Sequence, residues 1–220
     1  MKEPRGDTRQ RLLTVAAHLF RTKGYAATST REIARHLRIQ TASLYHYIRS
    51  KDQLLFEIAR QGLEELEAEV RPIVFSALPP LEKLRRFIET HVTIILRYRD
   101  KHAVMLAELN ALPARSRRAV VALRDRYEGL VARVLEEGQA AGVVRADLPV
   151  RYLRLALLNL LNWSIFWFRP DGPLAPDEVG RMLSSVFIDG VAVGASRPGG
   201  GGGLRGRAAR GSDGTPAPGG

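Results

Sequence analysis

Apolar residues recur every three to four positions along most of the chain, a period that predicts helices rather than strands. Leu12, Ala16, Leu19 and Phe20 make one stripe of a helix over Asp7 to Lys23, which Gly24 stops. Ser29 and Glu32 stand at capping-box spacing, so a second helix is expected from Thr30 to about Leu37, with Ile33, Ala34 and Leu37 facing inward. A third, Thr41 to Tyr47, follows after a tight turn, and Ser50 with Gln53 opens a longer fourth whose end lies near Pro72. Pro79 and Pro80 precede a helix from Leu81 to Arg99, and Arg115 to Ala141 forms a long one ending at Gly142.

Two segments differ from these amphipathic patterns. Leu153 to Phe168 is apolar almost all round, and Val179, Met182, Leu183, Val186, Phe187, Gly190 and Val191 repeat through a last helix. The uncharged run from Leu155 to Phe168 is 14 residues, short of the roughly 20 that a membrane crossing needs, and it holds Asn159 and Asn162. More apolar surface than one chain can cover predicts a partner subunit, so these two helices are the expected homodimer interface. After Val193 the chain turns to glycine, arginine and proline, with five consecutive glycines from Gly199 to Gly203, a composition that predicts disorder. The expected organisation is therefore a flexible 1–6, a helix-turn-helix unit over 7–53, a helical domain over 54–193, and a disordered Gly/Arg-rich tail over 194–220. The fold class is all-α.

Charge sharpens that division. Lysine and arginine outnumber aspartate and glutamate by 34 to 23. Met1 to Arg60 carries 12 basic and 5 acidic residues, whereas Gln61 to Ala195 carries 18 and 17. The excess at one end fits phosphates, while the balanced middle is suited to another task. Cysteine is absent, which removes thiolate metal sites and cysteine nucleophiles and suits a reducing cytoplasm. His18, His36, His91 and His102 are isolated histidines, expected to be exposed or internally satisfied rather than metal ligands. No G-x-S-x-G elbow, Walker loop, dinucleotide glycine motif or H-E-x-x-H occurs, so neither catalysis nor a cofactor is expected. A protein binding DNA without sequence preference would explain the charge but leave the neutral, pocket-sized middle without a purpose.

Ser29 to Lys51 reads as two short helices around a tight turn, the arrangement that lays a helix in the DNA major groove. The first sixty residues also resemble the DNA-binding domain of TetR-type transcriptional regulators. The likeness rests on Lys23-Gly24-Tyr25, Thr28 and Thr30 before Glu32-Ile33-Ala34, then Ser43-Leu44-Tyr45, Tyr47 and Ser50-Lys51. It implies that Thr30 and Arg31 begin the second helix near a phosphate and that Gln40, Thr41, Ala42 and Ser43 open the recognition helix. Tyr45, His46 and Tyr47 would line its groove-facing side and Lys51 would meet the DNA backbone. Arg31, Gln40, Thr41 and Ser43 are then the base readers. Packing of Tyr45 and Tyr47 into the small core is the competing role. Arg38 departs from the family's glycine in the turn, at a cost if its φ is positive, and Ile48 replaces the usual phenylalanine.

Farther on, Asn162-Trp163, Trp167, Arg169-Pro170-Asp171-Gly172-Pro173-Leu174, Tyr98-Arg99-Asp100 and Glu108-Leu109 resemble the C-terminal domain of TetR-type repressors that sense acyl-coenzyme A thioesters. That likeness implies a small-molecule effector in addition to a palindromic double-stranded operator. Candidate effector contacts are Arg97 and Arg99 for phosphates, and Asn159, Asn162, Trp163 and Trp167 as pocket lining. Helix–helix hydrogen bonds are the alternative fate of the two asparagines. A sensor of a hydrophobic, drug-like compound is the alternative function. Ala175 stands where a serine would cap the last helix.

Overall fold

A computed structural model describes residues 5–194, so the expectations for 1–4 and for the tail from 195 onward lie outside the described residues. The described chain is all-α: α1 (Arg5–Lys23), α2 (Thr30–Leu37), α3 (Thr41–Leu44), α4 (Lys51–Val74), α5 (Pro80–Arg97), α6 (Arg99–Ala107), α7 (Ala114–Ala140), α8 (Val150–Trp167) and α9 (Pro176–Val191). A single 3-10 turn, Leu109–Ala111, lies between α6 and α7.

The start signals in the sequence act as expected. Ser29 Oγ accepts from the Glu32 amide at 3.1 Å and Ser50 Oγ from the Gln53 amide at 3.1 Å, each satisfying one orphan donor of a first turn. Gly24 ends α1 with φ 88°, a backbone state open to glycine. Leu12, Ala16 and Phe20 of α1 join Ile33, Leu37, Leu44 and Ile48 in the core of the small amino-terminal unit. α1 starts at Arg5, two residues before the expected Asp7.

Three boundaries shift. α3 holds helical form only from Thr41 to Leu44, and Tyr45 to Tyr47 continue as turns rather than as helix. α4 begins at Lys51 and runs 24 residues, so the expected division between 53 and 54 falls inside one continuous helix. The helix expected over Leu81 to Arg99 breaks at Tyr98 (φ −108°, ψ 42°), and α6 begins at Arg99.

α5 is the axis of the larger unit and packs on α4, α7, α8 and α9. Its crossing with α9 is close because Gly180 has no side chain: a Cβ there would lie 3.1 Å from Glu89 Cα and 3.1 Å from its carbonyl oxygen. The end of α9 is strapped to the α7–α8 loop, with the Arg145 amide donating to Val191 O at 2.8 Å and the Val193 amide to Val143 O at 3.0 Å.

The expectation for the last two helices meets a specific pattern. Val179, Leu183, Phe187 and Val191 of α9 are buried, whereas Met182 and Val186 stand out from the surface, Val186 at 60% exposure. On α8, Leu153, Leu157, Leu161 and Ile165 are buried, while Tyr152, Leu155, Trp163 (65% exposed), Phe166 and Trp167 are bare. A single chain thus leaves an apolar face on each helix unpartnered.

Candidate functional site

The amino-terminal unit presents its polar groups outward from a small, tightly tied frame. Leu44 and Ile48 are fully buried and anchor the short α3 segment. Around these anchors Arg31, Gln40, Ala42, Tyr45 and His46 are exposed, and Thr30, Thr41, Ser43 and Tyr47 are half-buried. Gln40 is the N-cap residue of α3 yet makes no capping bond, which leaves its amide available to a partner. Tyr45 is 53% exposed and its hydroxyl lies 3.3 Å from Thr30 Oγ1, linking the start of α2 to the end of α3. The competing core role therefore falls more on Tyr47, which packs against the cluster.

The turn between α2 and α3 carries the predicted strain. Arg38 adopts φ 57°, ψ 40° and is the one non-glycine residue with positive φ among those described. Left-handed backbone costs a residue with a Cβ about 1 kcal/mol. The tight turn is held by the Ile39 amide on Ala34 O at 3.0 Å.

Lys51 is engaged within the unit. Its ammonium donates to the carbonyls of Tyr25 (2.8 Å), Thr28 (3.0 Å) and Ala26 (3.4 Å) and sits 4.2 Å above the Tyr25 ring. All three donors are spent on the α1–α2 loop, so in this geometry the lysine clips that loop to α4 instead of offering a free cation to phosphate. The Tyr25 hydroxyl bonds Asp52 next to it, and burial followed by that carboxylate pushes the phenol well above its usual range.

At the other end, Asn162 takes part in a hydrogen-bond chain between helices. Its Oδ1 lies 3.3 Å from His91 Nε2, and His91 Nδ1 lies 2.6 Å from the Tyr127 hydroxyl. An amide oxygen only accepts, so Nε2 carries the proton and Tyr127 donates to Nδ1, a helix–helix chain joining α8, α5 and α7. Burial holds His91 down to about 4 and therefore neutral. His102 on α6 is also fully buried and pushed down to about 3 by burial, with His91 and Lys101 adding to the shift, but neither ring nitrogen has a hydrogen-bond partner. Asn159 donates to Leu155 O of its own helix at 2.8 Å, and Trp163 lies against Phe166 with centroids 4.9 Å apart. Asn159, Trp163 and Trp167 line neither groove described next; they belong to the bare face of α8.

Two grooves flank the α5–α6 break. One, about 550 Å³, has a floor of Leu13, Ala17, Leu96 and Phe168 and a rim that includes Arg21, Arg97, Arg99 and Lys101. The other, about 610 Å³, is bordered by Glu65, Glu69, Glu89 and Asp177 together with Arg97 and Arg181. Arg99 Nε donates to Ile165 O at 2.8 Å, while Arg97 is exposed at the wall between the grooves. Sequence reasoning missed Asp100 and Glu108 as contacts. Asp100 bonds His18 at 2.8 Å and also Arg21, and Glu108 accepts from the Tyr25 amide at 3.2 Å. Their only signal was membership of motifs that matched the family pattern; nothing local marked the partners on α1. Among the described residues no group of His, Cys, Asp and Glu is placed to hold a metal, and no helix is long and apolar enough to cross a membrane.

Comparison with known proteins agrees with both halves. Residues 12–58 match the family described as bacterial regulatory proteins, tetR family, and residues 77–191 match the tetracyclin repressor-like C-terminal domain. The chain is 33% identical to the HTH-type transcriptional repressor KstR2 of Rhodococcus jostii, over 84% of this chain and 91% of that protein. The fold superposes on the TetR-family regulator PfmR of Thermus thermophilus with a TM-score of 0.76 and 38% identity, covering 81% and 97% of the two chains. AibR, solved with isovaleryl coenzyme A and operator DNA, gives a TM-score of 0.73 at 26% identity, covering 83% and 96%. A helix-turn-helix unit tied by α4 to a helical second domain, with both parts matched in order, makes this chain a member of the TetR family of transcriptional regulators.

Proposed function

We propose that the chain is a cytoplasmic repressor that grips a palindromic operator as a homodimer and lets go when an acyl-coenzyme A thioester binds. The bare faces of α8 and α9 pair with those of a second copy, which puts two α3 segments about 34 Å apart, one turn of duplex. Thr30 and Arg31 approach the backbone at the start of α2; Gln40, Thr41, Ala42 and Ser43 enter the groove, with Tyr45, His46 and Tyr47 along the same side. Arg31, Gln40, Thr41 and Ser43 read base edges. Lys51 contributes by fixing the α1–α2 loop, and the backbone contact expected of it requires that it leave those carbonyls.

The observation that carries the ligand class is the groove whose apolar floor is rimmed by Arg21, Arg97, Arg99 and Lys101. An acyl chain fits the floor and the coenzyme's phosphates fit the guanidinium groups, which bind phosphate in bidentate fashion. KstR2 is named a repressor and AibR was solved with a coenzyme A thioester, which supports the same reading. The neighbouring groove supports one alternative, since its four carboxylates suit a cationic, drug-like compound. A thermal-shift screen of the full chain separates the two. Stabilisation by medium-chain acyl-coenzyme A and not by hydrophobic cations is expected; the reverse pattern overturns the thioester in favour of the drug sensor.

A further inference from the structure

The basic groove lies on the joint between the two units. Leu13, Ala17 and Arg21 come from α1 of the DNA-reading unit, Leu96 and Arg97 from α5, Arg99 and Asp100 from α6, and Phe168 from the end of α8. Within it the charges are unevenly paired. Lys101 is neutralised by Glu65 at 2.7 Å, and Arg21 shares the single carboxylate of Asp100 with His18. Arg97 has no ion pair among the described residues, and Arg99 spends only its Nε, on a neutral carbonyl. Two guanidinium groups are thus uncompensated beside one carboxylate that holds α1 to α6.

We infer that an amphiphilic anion seated in this groove replaces Asp100 as the partner of Arg21 and so loosens the tie of α1 to α6, leaving that carboxylate only His18 on α1. The Arg21–Asp100 pair is about one-third exposed on each side, and pairs that open to solvent are weak. A phosphate or carboxylate held in place by Arg97 and Arg99 and by an apolar chain arrives next to Arg21 at high local concentration and outcompetes it. Once Arg21 leaves Asp100, the polar links that remain there among the described residues are His18 Nδ1 to Asp100 at 2.8 Å, from an exposed imidazole, and the Tyr25 amide to Glu108 at 3.2 Å. The recognition unit then loses its fixed angle to the dimer. By linkage, the operator must weaken ligand binding by the same factor as the ligand weakens operator binding. The choice of ligand rests on the thioester reading; the competition with Asp100 does not.

The test uses the full-length protein and calorimetric titration with decanoyl-coenzyme A, coenzyme A, decanoate and dodecyl phosphate. Asp100→Asn, with Asp100→Ala run beside it so that one poorly folded variant does not decide the matter, removes the competing carboxylate. Tighter binding of decanoyl-coenzyme A, by about fivefold, is expected. Weaker operator binding without ligand is expected from the same variants. Arg97→Ala is expected to weaken binding of the thioester by about tenfold. Unaltered or weaker thioester binding in both Asp100 variants overturns the inference and leaves the thioester reading standing. Failure of decanoyl-coenzyme A to bind, with dodecyl phosphate bound more tightly by the Asp100 variants, supports the inference and overturns the thioester reading. Coenzyme A alone binding as tightly as its decanoyl ester overturns the role of the apolar floor, and silence from all four probes overturns both.

Discussion

The two ends of the molecule solve opposite problems. In the amino-terminal unit, Leu12, Phe20, Ile33 and Leu44 are buried by one another within some forty residues, and what faces outward is polar: Arg31, Gln40, Tyr45, His46. On α8 and α9 the buried row is accompanied by outward apolar residues, from Leu155 and Trp163 to Met182 and Val186. Water tolerates the first surface and penalises the second. The first end buries its apolar residues within one chain and presents polar ones, whereas the second leaves apolar residues in water.

That contrast can be broken most severely at the apolar end. Trp163→Asp combined with Val186→Asp places a charge on each bare helix face. Self-association is expected to fall by roughly a thousandfold, about 4 kcal/mol, in sedimentation velocity. A dimer of undiminished strength places the interface elsewhere.

Acid is the next lever, and through two buried histidines it acts on the large unit. His91 and His102 are buried and neutral, held down to about 4 and about 3, whereas His18, His36 and His46 are exposed. Because the folded values lie below the unfolded value of about 6.5, the unfolded chain takes up protons first, and stability is lost as pH falls from 6.5. His91 alone accounts for about 3 kcal/mol by pH 4, measured by denaturant unfolding at a series of pH values. A flat profile between pH 7 and 4.5 contradicts the burial of these rings.

Smaller effects distinguish helix ends. At α9, Glu178 accepts from the Ala175 amide at 2.7 Å, but alanine returns no bond to the first turn. Ala175→Ser completes the box and is expected to stabilise the large unit by about 1 kcal/mol. In the small unit, Arg38→Gly relieves the left-handed turn, with a gain of about 0.5 kcal/mol after the extra freedom of the unfolded glycine is offset. Its operator preference is expected to stay unchanged in a gel-shift competition, and a changed preference puts the Arg38 side chain at the DNA.

The same contrast explains what was legible in the sequence. Ser29 and Ser50 announced their helices because a cap acts over three residues. Arg38 was marked by its departure from glycine, and the doubly apolar α8 and α9 by composition and period. Contacts between distant segments left no such trace. Lys51 meets carbonyls 23 to 26 residues away, and Asp100 reaches back to α1 across roughly eighty residues. The break at Tyr98 has neither proline nor glycine to signal it. Trp163 and Trp167 carry an ambiguity, since an aromatic cluster looks alike in sequence whether it faces a ligand, a core or a second subunit.

One titration tests the central claim most directly: fluorescence anisotropy of the full-length dimer on a labelled inverted repeat selected from random duplex, with decanoyl-coenzyme A added stepwise. The expected result is tight, salt-sensitive binding that prefers the repeat over random duplex, with the thioester weakening it at least tenfold, a coupling of ~1.4 kcal/mol. A chain that stays monomeric, binds all duplexes alike, or keeps its hold on the repeat at saturating thioester contradicts it.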